Sequence, residues 1–508
     1  MGPRPGPAGR RRRGGGGIDL TFDFKPSDFS DAGNAEIFGS FYAGELAYTD
    51  ALGWLWFDGR RWDRGDHAVM QRAVELTDTM LADARAELYA ALQAQASAKL
   101  EEAERIEGSD DRLQKAERAV SGARSYFAHA GKSRNTPRIM AMLELCKHSF
   151  VIPLDKLDAD PFALNTPDGI VDLRTGALRR HGAETAAAWC THITATPPGT
   201  KGAAQWLEFL ETIACGDAGL ERDLQQVAGM AAIGAVYHEG IVIAHGGGRN
   251  GKSTFFNVLA AVLGDYAGTI DPKVLTTERQ NKGAALATLR GKRLVLAAEL
   301  EEHQRLSTST LKQLASTDRL TIEEKYRQPD TITPSHTLVL FTNFLPRVGA
   351  TDDGTWRRLT VVPFNAVISQ ADARQNYAGE LARETGPAIL SWIIQGAVSF
   401  VQAGCKLHLS TATTSATEDY RARENWLENF IDERCIREPN ARVGARELYN
   451  AYRAWAQENG EYVRREADFS NSMEAAGYIK ITPKNRKTWI GLHLDLARIF
   501  GSDCTATG

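Results

Sequence analysis

Residues Gly246-Gly247-Gly248-Arg249-Asn250-Gly251-Lys252-Ser253 satisfy the pattern G-x-x-x-x-G-K-[ST], with Thr254 following. That spacing has a chemical reading. Glycines let consecutive backbone N–H groups close around phosphate oxygens, the lysine meets the β- and γ-phosphates, and the serine hydroxyl ligates Mg²⁺. The expected ligand is therefore a nucleoside triphosphate, ATP with Mg²⁺, held by Gly246 through Thr254. Further along, Glu299 and Glu301 end an apolar run, Lys292-Arg-Leu-Val-Leu-Ala-Ala-Glu-Leu-Glu-Glu302. If extended geometry persists there, both carboxylates face one way and Leu300 the other. Strand-end acids are often merely solvated, but after a phosphate loop such a pair can hold Mg²⁺ and orient the attacking water. Asn343 ends another apolar run; an Asn after a strand is more often a turn residue, but in P-loop ATPases such an Asn senses the γ-phosphate through that water. Arg357 and Arg358 either form a structural ion pair or reach a neighbouring subunit's γ-phosphate.

These residues need a scaffold. Gly240-Ile-Val-Ile-Ala244 reads as a β-strand and Thr254 through Leu263 as a helix, so the glycine loop lies between strand and helix, with the helix N-terminus favouring an anion. Thr337 through Thr342 reads as a buried strand, and Trp206 through Ala235 as helical. Upstream, the aromatic-rich stretch from Asp31 to Trp62 suggests a small hairpin. Ala68 to Phe150 has helical spacing, interrupted near Gly108, and Asn165 to Gly176 punctuates two short strands. Toward the C-terminus, a helix around Glu447 to Asn459 and a second from Phe469 to Ala476 precede a basic turn, Lys480-Ile-Thr-Pro-Lys484-Asn-Arg486-Lys487. Helix, helix and basic hairpin outline a winged helix whose wing touches DNA phosphates.

At 508 residues the chain exceeds one core, and 43% hydrophobic with 24% charged residues is the balance of a soluble globular protein. No run approaches the roughly 20 apolar residues of a membrane span. The scattered cysteines carry no C-x-x-C pair, which argues for reduced thiols in a cytoplasm. A net charge of −4 excludes a globally basic DNA-coating protein, so nucleic-acid contact falls to local patches. Residues 1–30, which hold Arg10 to Arg13 and a glycine run, read as a disordered basic tail.

The order of these pieces resembles superfamily 3 helicases, and more closely the helicase half of the phage- and plasmid-encoded primase–helicases related to the poxvirus enzyme. Ala298-Glu-Leu-Glu-Glu302, Leu311-Lys312-Gln-Leu, Lys325-Tyr326-Arg327, Phe341-Thr-Asn-Phe-Leu-Pro346 and Thr351-Asp-Asp-Gly-Thr-Trp-Arg-Arg358 carry the likeness. It extends upstream through Leu164 to Gly176 and downstream through Glu447 to Trp455 and Lys487 to Gly491. The resemblance implies an α/β fold: a P-loop, AAA+-like superfamily 3 motor with an α-rich N-terminal region and a C-terminal winged helix. The corresponding divisions are 31–205 before the motor, 206–400 for the motor, 401–419 as linker, 420–497 as winged helix and 498–508 as tail. It also implies that Lys252 and Ser253 hold phosphate and Mg²⁺, that Glu299 and Glu301 are the metal-linked acid and the base, and that Asn343 is the sensor. Arg358 is the first candidate for a finger acting in trans, with Arg357 second. Lys312, Lys325, Tyr326 and Arg327 fall where such motors grip one DNA strand in the pore, and Lys484, Arg486 and Lys487 form the wing's contact.

The expected activity is that of an ATP-driven, ring-forming DNA helicase, a hexamer in the host cytoplasm that takes a single strand in its pore and a forked duplex ahead of it. It would work beside a separate primase or origin-binding protein. The alternatives are a nucleotide-switched origin-binding ATPase and another P-loop motor for packaging or transposition. With few residues before the first recognised segment, no primer synthesis is expected.

Overall fold

The computed structural model describes residues 22–181, 188–277, 288–302, 304–322, 330–348, 353–371, 374–459, 462–483 and 486–496. Two compact units divide the chain, Met1–Ile170 with Leu178–Ile193, and Val171–Ala177 with Thr194–Gly508.

The first unit is mainly helical. Ser30 opens α1 (Asp31–Phe41), its hydroxyl accepting from the Gly33 N–H and satisfying one of the free donors of the first turn. Three antiparallel strands follow, β1 (Leu46–Thr49), β2 (Gly53–Phe57) and β3 (Trp62–Arg64), so the expected hairpin is preceded by a helix and gains a third strand. Two long helices, α2 (Asp66–Ala103) and α3 (Ser109–Ser133), then pack along one another, parted where Gly108 takes φ 75°. With α4 (Thr136–Phe150) they enclose Phe38, Tyr42, Trp54, Met80, Tyr126 and Phe150. Phe24 is buried in the same core and Phe22 packs against it. The expected tail through residue 30 is therefore corrected: Phe22 and Phe24 already pack into the folded core. A small sheet, β4 (Ala163–Thr166), β5 (Gly169–Asp172) and β6 (Ala177–Arg180), has three strands where two were expected.

The second unit starts with α5 (Ala203–Ala214) and α6 (Ala218–Met230). The stretch expected to be helical, Trp206 to Ala235, is divided between them because Cys215 and Gly216 both turn left-handed, at φ 54° and 74°, and Asp217 caps α6 by accepting from Gly219 and Leu220. Next come β7 (Ile241–His245), α7 (Lys252–Leu263), β8 (Ala267–Ile270) and β9 (Leu294–Ala298). These are followed by α8 (Thr308–Leu314), the hairpin β10 (Leu320–Ile322) and β11 (Asp330–Ile332), β12 (Thr337–Thr342), α9 (Asp353–Trp356) and β13 (Leu359–Pro363). Five of the strands form one parallel sheet in the order β13-β7-β12-β9-β8. Their continuous runs of Ile, Val, Leu and Ala are what a parallel sheet covered on both faces requires. In this α/β nucleotide-binding type of fold, β12 is inserted between the strand that feeds the glycine loop and the strand that ends in acids.

Helices α10 (Tyr377–Gln402) and α11 (Thr411–Glu424) follow the parallel sheet. The expected linker over 401–419 is corrected by α11. Thr413 is buried and donates to Asp223 at 2.6 Å, Thr417 accepts from the Val361 N–H at 3.0 Å, and Tyr420 belongs to the core beneath the sheet. Thr413 and Thr417 are too polar to advertise that burial in sequence, yet each of these two hydroxyls has a partner.

The C-terminal part runs α12 (Trp426–Arg434), β14 (Cys435–Gly444), α13 (Ala445–Glu458), α14 (Glu466–Ala475), β15 (Ile479–Ile481) and β16 (Thr488–Leu494). Its antiparallel sheet has the order β14-β16-β15 over a core of Trp426, Phe430, Tyr452, Trp455, Phe469 and Trp489. The two expected helices and the hairpin are present. Strand β14, with a register shift between Arg437 and Arg442, was hidden by its charged residues. No described helix is long and apolar enough to cross a membrane.

Candidate active site

Strand β7 is buried along Ile241–Ala244 and delivers the glycine loop at the C-terminal edge of the sheet. Gly246 has no room for a side chain, since a Cβ would lie 2.1 Å from the Phe364 carbonyl oxygen. Gly251 turns at φ 81°, and a Cβ there would meet Ile213 at 2.4 Å. Between them the backbone at Gly247 and Gly248 faces open space. Asn250 holds the loop's shape from beneath. It is buried, its amide nitrogen donates to the carbonyls of Gly247 at 2.5 Å and Phe364 at 3.0 Å, and its oxygen accepts the Lys252 N–H at 3.4 Å.

Lys252 opens α7 and is only 5% exposed. Its three ammonium protons have three acceptors: Gly246 O at 3.2 Å, Gly247 O at 3.3 Å and Asn343 Oδ1 at 2.5 Å. All three are neutral oxygens. Burial pushes the lysine pKa down, and the charge of Glu299 acts the other way. A buried cation held by neutral carbonyls, beside a loop with open space at Gly247 and Gly248, is complementary to a polyanion. The donor set therefore fits the phosphates of a nucleotide. Ser253 is exposed at the helix start, where a cation bound to those phosphates would meet its hydroxyl, and Thr254 is half-buried.

Asn343 and Glu299 arrive by strand pairing. Thr342 on β12 is opposite His245 on β7, and Phe341 is opposite Ala298 on β9. The Glu299 N–H donates to the Phe341 carbonyl at 2.9 Å. The expectation that Glu299 and Glu301 share a strand face is corrected, because β9 ends at Ala298 and Glu299 turns left-handed at φ 52°. That turn sends Leu300 into the core, 4% exposed, and leaves Glu299 and Glu301 at the surface. Of the two acids, Glu299 is the one whose charge reaches Lys252. Sequence reasoning missed His245, whose only signal was a polar residue ending an apolar strand. Burial lowers its pKa, with smaller contributions from Arg423 and Lys252, while a hydrogen bond with the Asn343 backbone opposes them.

The arginine pair lies elsewhere. Leu359 pairs with Ile241 and Pro363 with His245, so Arg357 and Arg358 stand at the N-terminal edge of the sheet. Five residues of strand, about 16 Å, separate that edge from the loop. Arg358 donates to Gly354 O at 2.7 Å and pairs with Glu239 at 3.1 Å, its side chain only 14% exposed. Arg357 is exposed. Lys312 is exposed on α8, which Ser307 caps. The hairpin β10–β11 frames Lys325, Tyr326 and Arg327, but these three lie outside the described residues, as does Lys484. Arg486 and Lys487 are exposed in the turn before β16. Among the described residues no cluster of three or more His, Cys, Asp or Glu side chains could bind a metal by itself.

Residues 35–215 match the family described as D5 N terminal like, and residues 244–358 match a family of unknown function, DUF5906. Over 334 residues the chain is 24% identical to a helicase-named protein of Acanthamoeba polyphaga mimivirus, covering 60% of this chain and 34% of that protein. A primase-named protein of African swine fever virus is 26% identical over 234 residues, 42% of this chain and 24% of its own. A helicase-named protein of Frog virus 3 is 25% identical over 271 residues, 49% and 28% of the two chains. The matches thus span 24% to 34% of these relatives' length. The solved apo C-terminal region of NrS-1 overlays with a TM-score of 0.38 at 11% identity, over 58% of this chain and 77% of that one, too distant to bear on the fold. The D5-like segment and the viral relatives point the same way: over these stretches the chain is similar to viral proteins named as helicases and primases.

Proposed function

We propose that the chain is an ATP-driven DNA helicase that acts as a ring, a hexamer, in the replication of phage, prophage or plasmid DNA. The observation that carries this reading is Lys252, a buried ammonium beside an open glycine loop, tied to Asn343 directly after the strand inserted between β7 and β9. The helicase and primase names of the relatives support a replication role and DNA as the substrate. The backbone of Gly246 to Thr254 binds the triphosphate, and Lys252 offsets charge that builds on the γ-phosphate. Ser253 and Glu299 would hold Mg²⁺, which would supply positive charge to offset that of the phosphates. Glu299 or Glu301 orients the attacking water, and Asn343 couples that water to Lys252.

Since the arginine pair stands at the far edge of the sheet, its reach is to a neighbouring subunit's nucleotide. The ion pair with Glu239 occupies Arg358, and this favours Arg357 as the finger. Lys312, with Lys325, Tyr326 and Arg327 between β10 and β11 in the sequence, tracks one strand through the pore. The order α12-β14-α13-α14-β15-β16 supports reading the C-terminal part as a winged helix. The test is strand displacement on a forked duplex. Wild-type chain should release the strand with ATP and the Lys252→Ala protein should not. ATP hydrolysis without displacement would favour a nucleotide-switched DNA-binding ATPase.

A further inference from the structure

Helix α13 buries Ala445, Leu448, Tyr452, Trp455 and Ala456. Its opposite face presents Arg446, Asn450, Arg453 and Gln457, at i, i+4, i+7 and i+11, all exposed. The Ala445 N–H donates to the Lys487 carbonyl at 2.9 Å and Gly444 pairs with Thr488, which fixes the start of this helix against the base of the β15–β16 turn. Arg442, Arg446, Arg486 and Lys487, all exposed, therefore gather at one junction, and Arg453 extends the patch along the helix. Two other cations of this region are neutralised: Arg434 pairs with Glu458 at 2.5 Å, and Arg437 with Asp432 at 2.5 Å and with Glu428. Among the described residues no ion pair engages the five patch cations. One acid, Glu447, stands beside Gly444. Helix α14 has the opposite character, exposing Glu466, Asp468 and Glu474 and containing no Lys or Arg.

We infer that α13, together with the base of the β15–β16 turn, is a binding surface for duplex DNA, and that α14 faces away from it. The inference rests on the DNA-motor reading above. Phosphates attract unpaired cations and are repelled by the acids of α14. Arg, Asn and Gln are also the side chains that read purine edges in a major groove. Single-strand sites add aromatic platforms for stacking, and no patch residue is aromatic, so the surface suits duplex.

Binding of the full chain to a labelled blunt duplex, without nucleotide and followed by fluorescence anisotropy across salt concentrations, tests this. Arg446→Ala with Arg453→Ala should weaken binding about tenfold and lower the salt slope by about 2. Arg446→Lys with Arg453→Lys should restore most of the affinity, because phosphate needs the charge. Glu466→Gln with Asp468→Asn should leave it within about twofold, as expected of a helix that does not touch DNA. Unchanged affinity and slope in the double alanine variant would overturn the inference, as would a loss confined to single strands. Should that variant melt early, Arg486→Ala with Lys487→Ala reads the same patch from the turn. Because no nucleotide is present, a chain that hydrolyses no ATP would sink the motor reading while leaving this measurement decisive.

Discussion

Lys252 and Asn343 share a 2.5 Å hydrogen bond although 91 positions separate them. The contact exists because β12 lies beside β7 with Thr342 opposite His245, so Asn343 comes beside the start of the glycine loop, where the Lys252 ammonium also meets the Gly246 carbonyl. An amide oxygen positions the ammonium without neutralising it. Asn343→Asp would put a carboxylate in that place and compete with phosphate for the lysine. ATP affinity measured by titration should fall by about tenfold, because a charge-assisted pair replaces a neutral contact. Asn343→Ala should instead keep binding and lose turnover by about 10²-fold. Equal ATP affinity in the Asp and Ala variants would count against a lysine that waits for an anion.

The acids divide by geometry. Glu299 follows β9 directly and its charge acts on Lys252, whereas Glu301 stands beyond buried Leu300. Glu299→Gln should bind ATP and stall hydrolysis by about 10²-fold or more, with Glu301→Gln within about tenfold of wild type. Single-turnover hydrolysis separates the two, and a larger defect at Glu301 would reverse their roles.

Arg357 and Arg358 should part in stability as well as activity. Arg358 is mostly buried against Glu239 and Gly354, so Arg358→Ala should cost about 1 kcal/mol, seen as a lower melting temperature. Arg357→Ala should melt like wild type, bind ATP and fail to hydrolyse it. Mixing it with Lys252→Ala protein should restore some hydrolysis, since a mixed interface joins an intact loop to an intact arginine. Recovery by Arg358→Ala in place of Arg357→Ala would return the trans role to Arg358.

Much of the site was legible because its chemistry is local in sequence: eight consecutive residues specify the loop, and apolar runs on either side specify its strand and helix. What escaped depends on distant partners. Nothing near Arg358 announces Glu239, 119 residues away, and nothing near Thr413 announces Asp223. Left-handed turns at Cys215 and Glu299, residues that rarely adopt them, broke a continuous helix and ended a strand where periodicity ran on. Strand β14 was concealed because β16 covers only one side of it and its other residues are charged and exposed.

His336 precedes β12 and is buried, with neither ring nitrogen hydrogen-bonded. Burial drives its pKa down to about 4 from the ordinary 6.5. The native state thus refuses a proton that the unfolded chain accepts between those two values. Its contribution is fully present above pH 6.5, shrinks as pH falls, and levels off near pH 4 after a loss of roughly 3 kcal/mol. A residue that cannot titrate would remove this loss, and an apolar one would also end the burial of two unpaired nitrogens. His336→Leu should therefore gain on wild type as pH drops. Its melting temperature relative to wild type should rise by several degrees between pH 7.5 and pH 5. Carboxylates titrate in both proteins and cancel in the difference. A constant gap across that range would mean that the imidazole gains a proton partner in the folded protein.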